Sequence, residues 1–219
     1  SKGIEFESHF QSDSMVEGES AFRQFVRTRI DHDAYPYVGQ VMLDFTHGRL
    51  MHIETTEALD YLREVQCVKE LVFTDKLITK EIAKRFAQLT DLTSLELYFE
   101  SMDAEAARII GQMTQLEELH LQGSIRPIDL KILGGVDDEA IRAIASQAEL
   151  KSLHVYAAEL SDVGLSSIAK MQSLKTLTVT YAKQLPAEFC GDLAKLPNLE
   201  ELTIWGGPGI ESQQLHQLL

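Results

Sequence analysis

The sequence predicts an α/β solenoid, a stack of units that each contribute one short strand and one helix. Three observations carry that expectation. A six-residue apolar pattern recurs six times, its spacing is nearly constant, and a stretch of helical periodicity follows each copy.

The copies are Val68-Lys69-Glu70-Leu71-Val72-Phe73, Leu92-Thr93-Ser94-Leu95-Glu96-Leu97, Leu116-Glu117-Glu118-Leu119-His120-Leu121, Leu150-Lys151-Ser152-Leu153-His154-Val155, Leu174-Lys175-Thr176-Leu177-Thr178-Val179 and Leu199-Glu200-Glu201-Leu202-Thr203-Ile204. Four of their five intervals are 24 or 25 residues. A degenerate seventh copy begins at Val38, with Val41 and Leu43. Self-similarity of this period carrying L-x-x-L-x-L resembles the leucine-rich repeat family. Leu160-Ser161-Asp162-Val163-Gly164-Leu165-Ser166-Ser167-Ile168-Ala169 is similar to the D-x-G-x-x-x-[IL]-A run of its 24-residue class, and 136–145 and 102–107 match in part. The resemblance spans residues 38–219, about seven repeats. It implies a curved parallel β-sheet on a concave face and α-helices on the convex face.

Taken in order, residues 1–37 lack the repeat. Between Glu19 and Ile30, Phe22, Phe25, Val26 and Ile30 lie at helical spacing and form one apolar stripe. A stacked core needs a terminal unit with one polar face, so 1–37 is expected to be a helical N-terminal cap. Helices are then expected over Thr55 to Val65, Thr79 to Leu89, Asp103 to Met113, Asp137 to Gln147, Asp162 to Met171 and Pro186 to Leu196. Thr79, Asp103, Asp137 and Ser161 or Asp162 can accept bonds from free helix N–H groups, and Pro186 suits a first turn.

Two features depart from regularity. The interval from Leu116 to Leu150 is 34 residues, and its surplus is Ser124 to Gly135. With Ile125, Ile128, Leu130, Ile132 and Leu133, this insert either folds back on the core edge or offers an apolar tip to a partner. The family's usual Asn or Cys, eight residues after the first leucine, is replaced by Thr46, Lys76, Glu100, Ser124, Ala158, Ala182 and Gly207. Backbone bonds or water must satisfy those turns.

Composition narrows the role. Against 20 basic residues stand 34 acidic ones, a formal charge of −14. That opposes non-specific nucleic-acid binding, which needs a positive footprint, and docking on an anionic membrane. It suits a basic protein partner, and it also keeps an extended surface soluble. Cys67 and Cys190 lack C-x-x-C spacing, so no disulfide framework or thiolate zinc site is expected. No apolar run approaches membrane-spanning length and no signal peptide is visible, so the cytoplasm is the expected location. None of the metalloprotease, dinucleotide, phosphate-loop or nucleophile-elbow signatures occurs. Gly206-Gly207-Pro208-Gly209 lacks the Lys-Ser/Thr of a phosphate cradle and reads as a turn. The expectation is therefore a non-enzymatic protein without a cofactor.

Strand alternation sends the leucines inward and the third, fifth and seventh residues of each motif to solvent. The candidate partner-binding residues are Glu96, Tyr98, Phe99, Glu118, His120, His154, Tyr156, Tyr181 and Trp205. The acidic members would steer a partner, and the aromatic ones are of the type that dominates interface hot spots. His120 and His154 hold equivalent positions in successive repeats, about 5 Å apart across neighbouring strands. Such a pair could share a metal with Glu96 or Glu118. Without a third His or Cys it fits ordinary polar surface better, so no metal is expected. The function expected is binding of a partner protein on this face. Narrower versions are an inhibitor of a basic enzyme or toxin, as in the acidic leucine-rich ribonuclease inhibitors, and a secreted bacterial effector that recruits a host protein. The last strand, uncovered beyond Trp205, invites a two-fold homodimer through the C-terminal end.

Overall fold

A computed structural model describes residues 40–44, 59–60, 62–63, 68–126, 131–156, 160–180 and 187–205, with the backbone alone at 40–44, 124–126, 131–134, 187–188 and 205. The expected cap over 1–37, Cys67, Tyr181 and the turn at 206–209 lie outside these residues. In chain order the elements are β1 (Gln40–Asp44), β2 (Glu70–Thr74), β3 (Leu77–Ile78), α1 (Lys80–Gln88), β4 (Ser94–Phe99), β5 (Ser101–Met102), α2 (Ala104–Ile110), β6 (Glu118–Arg126), β7 (Lys131–Gly134), α3 (Asp138–Ile144), β8 (Ser152–Tyr156), α4 (Asp162–Ile168), β9 (Thr176–Thr180), α5 (Ala187–Leu193) and β10 (Glu201–Trp205). Leu59, Asp60 and Leu62 are helical too, within the stretch expected from Thr55 to Val65.

The fold is α/β. One eight-stranded sheet runs in the order β1-β2-β4-β6-β8-β9-β10, with β7 beside β6. Each neighbouring pair along that path is parallel. The helices pack side by side in sequence, α1 on α2, α2 on α3, α3 on α4 and α4 on α5. Consecutive strands thus become neighbours, and each helix returns the chain to begin the next.

The repeated pattern explains the register. Leu71, Leu95, Leu119, Leu153, Leu177 and Leu202 stand opposite one another from strand to strand. Val41 aligns with Leu71. All but the last of the leucines are fully buried, in one core with Ile82, Phe86, Ile110, Ile141, Leu165 and Ile168 of the helices. A second device lies just before each strand. The carbonyl of the second motif residue accepts two N–H bonds from the next motif, Lys69 from Thr93 and Ser94, and Thr93 from Glu117 and Glu118. Glu117, Lys151 and Lys175 continue the series at 2.7–3.0 Å. Register is thereby pinned by backbone chemistry as well as by the apolar column.

Helices α1 to α4 start where the capping residues predict, although Asp103 makes no cap bond to α2 and accepts from the Lys80 N–H of α1 instead. Thr79, Asp137 and Ser161 accept from the backbone N–H of Ile82, Ala140 and Val163. α1 ends one residue earlier than expected, and α2 to α5 end three residues earlier, because the last turn tightens. Met113, Gln147, Met171 and Leu196 each donate to a carbonyl three residues back. Buried side chains then serve the loops: Gln147 Nε2 donates to the carbonyls of Met113 and Leu116, a role without a sequence signal. The turns after β2 and β4 are satisfied by backbone bonds, Glu100 and Ser101 both donating to Lys76. Those bonds accompany the short parallel pair of β3 and β5, which periodicity does not reveal.

The described residues of the insert up to Gly134 are strands. β6 runs on to Arg126 and β7 returns antiparallel, Ile125 opposite Ile132 and Arg126 opposite Lys131, with a register shift after Ser124. Its β-branched residues suit a hairpin.

Candidate functional site

On the sheet face turned away from the core, β4, β6 and β8 carry a three-by-three array. Its rows are Ser94, Glu118 and Ser152, then Glu96, His120 and His154, then Tyr98, Gln122 and Tyr156. All nine are half-buried, while the residues between them point into the core. The array has closed borders in its middle row, since Val72 on β2 and Thr178 on β9 are buried. Thr180 is buried as well, against the exposure expected at its position.

Six of the nine candidate residues come together here: Glu96, Tyr98, Glu118, His120, His154 and Tyr156. Phe99 does not. It is buried, 4 % exposed, because alternation along β4 places it inward with Leu95 and Leu97. It is therefore a core residue, and its expected role as a partner contact is corrected. Trp205 ends β10 opposite Thr180, a strand beyond the array's border. Tyr181 falls outside the described residues. Ser152 belongs to the site and was passed over by the sequence reading, although its third-position register marks it.

The polar groups of the array bind one another. The Tyr98 hydroxyl donates to Glu96 Oε1. Burial, that bond and the carboxylate's charge push the phenol from 10.0 up to about 12. His120 Nε2 lies 2.8 Å from Glu118 Oε1, and His154 Nε2 lies 2.9 Å from Ser152 Oγ. The two imidazoles stack with centroids 4.0 Å apart and planes at 27°. That is closer than strand spacing alone requires. Tyr156 lies parallel to His154 at 6.4 Å. Burial, then the neighbouring His120, lowers the His154 pKa, while the carboxylates of Glu118, Glu96 and Glu201 act in the opposite sense. His154 Nδ1 is buried and has no hydrogen-bond partner.

Glu118, His120 and His154 each present one potential ligand atom, and the three atoms lie within 4.8 Å of one another. Glu96, engaged by Tyr98, stands outside that group. Cys190 is buried, and burial pushes its thiol up, which suits a core residue rather than a nucleophile. Among the described residues no helix is long and apolar enough to cross a membrane. No protein-family profile matches the chain, and no curated protein matches it at a significant level.

Proposed function

We propose that the chain is a leucine-rich repeat solenoid, without enzymatic activity, that binds a partner protein on the open face of β4, β6 and β8. The repeat reading is supported by the leucine column, in register at nearly every 24-residue step, and by the single layer of helices. The observation that carries the binding reading is the array itself. Tyr98 on β4 and Tyr156 on β8 stand on either side of Gln122 of β6, beside Glu96 and Glu118, half-exposed, while the helices pack on the other face. Rings held on a sheet lose little conformational freedom on binding, and flanking carboxylates select a basic partner. The net charge of −14 favours the narrower version, an inhibitor of a basic enzyme or toxin.

Co-purification from the source, followed by affinity measurement on the captured partner, tests this reading. Tyr98→Ala and Tyr156→Ala are each expected to weaken binding at least tenfold, and raised salt to weaken it further. Lys84→Ala, exposed on α1, is expected to leave it unchanged. Equal affinity for all three variants would sink the assignment to this face.

A further inference from the structure

We propose that Glu118, His120 and His154 form a binding site for a divalent transition-metal ion of the zinc type, with one coordination position left open. The site does not depend on the protein-binding reading.

The donor set comes first. Two imidazoles and a carboxylate are the three-ligand set that holds zinc while keeping a fourth position for water or another donor. Without thiolate the set does not select Cu(I), and with two imidazoles it is softer than the all-oxygen shells of Mg²⁺ and Ca²⁺.

Geometry comes second. Both imidazoles direct Nε2 toward the same row of the sheet, His120 to Glu118 and His154 to Ser152. Parallel pairing of β6 with β8 sets them directly opposite one another. Zinc bonds of about 2.0–2.1 Å at tetrahedral angles put ligand atoms about 3.3 Å apart. The Glu118–His120 pair is already at 2.8 Å. The group as a whole spans up to 4.8 Å, so the remaining closure falls on His154. Both residues are half-buried rather than enclosed, so the proposal asks only for rotation about their side-chain bonds.

Unmet chemistry comes third. Two like rings in a stack have no charge complementarity to hold them there. His154 Nε2, the nitrogen turned toward the site, meets only a serine hydroxyl, a neutral partner that a cation would replace. The carboxylates of Glu118, Glu96 and Glu201 bear on it, as does His120. A cation at the shared edge would join the two imidazoles and be favoured by that negative field. Ser152 is then placed to orient a bound water, and the Tyr98–Glu96 pair supplies outer charge.

Zinc chloride titrated into the full chain against a chromophoric chelator tests the proposal, with Co²⁺ as a spectroscopic substitute. One ion should bind, and His120→Ala and His154→Ala should each weaken it at least tenfold, with Glu118→Gln weakening it less. The Co²⁺ form should show the visible absorption of a tetrahedral nitrogen–oxygen site, lost in His154→Ala. Far-ultraviolet circular dichroism checks that each variant folds, and His154→Gln replaces any that does not. Five histidines lie elsewhere in the chain, which holds seven in all. Zinc binding of equal strength in both histidine variants would therefore assign the metal to those and overturn the site. Absence of binding by the unaltered protein would overturn it as well.

Discussion

Tyr98 shows how a single residue is set by its strand. Period-two alternation puts it on the same face as Glu96, two residues earlier, and the phenol donates to that carboxylate. Burial, then the bond and its charge, raises the phenol to about 12 from 10.0. Ionisation would place a phenolate beside a carboxylate in a half-buried setting. The folded state therefore holds this proton more tightly than the unfolded chain does. Its contribution to stability is fully present below pH 10 and is lost as pH rises through about 12. Phenolate absorbance, taken as wild type minus Tyr98→Phe, should show a titration near pH 12, and a difference transition near 10 would contradict it. The exposure of Tyr98 and the pairing of His120 with His154 were legible from motif position. The unpartnered nitrogen of His154 was not, because it follows from side-chain rotation, which periodicity does not encode. Phe99 was misplaced because it is the eighth residue of its motif, where continued alternation sends the side chain inward.

At the scale of elements, the helices were legible and their spacing was not. Apolar periodicity and capping residues located α1 to α4 within a residue at their starts. How close neighbouring helices stand is decided by two glycines. A Cβ added to Gly111, at the end of α2, would lie 2.3 Å from the Ala143 carbonyl oxygen in α3. One added to Gly164 would lie 2.3 Å from Asp138 Oδ1, which accepts from the N–H groups of Ser161 and Gly164. The neighbour at Gly111 is backbone and cannot rotate away. Gly111→Ala should then cost about 1–3 kcal/mol from overpacking, against a helix-propensity gain of about 1 kcal/mol at most. Urea denaturation should show a lower midpoint. A raised midpoint would mean the two helices separate freely. The antiparallel pair of β6 and β7 was visible only as an apolar insert at 124–135, since length and apolarity do not distinguish a hairpin from a folded-back loop.

At the scale of the whole molecule, the core is one continuous cluster from Leu59 to Leu196, thin but unbroken across the sheet. A substitution in its middle is felt from both sides, whereas one at the last strand is not. Leu153 is fully buried between β6 and β9, while Leu202 on β10 is only half-buried. Leu153→Ala should cost about 2–5 kcal/mol, with Leu202→Ala at or below the lower end. Thermal melts of the two variants check this, and equal losses would mean that β10 is as deeply packed as β8. The strand register, the inward column and the helix starts were determined by the sequence alone, because each depends on local periodicity repeated at a constant step. Tertiary structure alone decided which part of the outer face stays open, how near the helices approach and which donor atoms meet. Those outcomes depend on contacts between side chains far apart in the chain. The pattern sets His120 opposite His154, but only packing brings the rings within 4.0 Å, with Glu118 in reach of the same point.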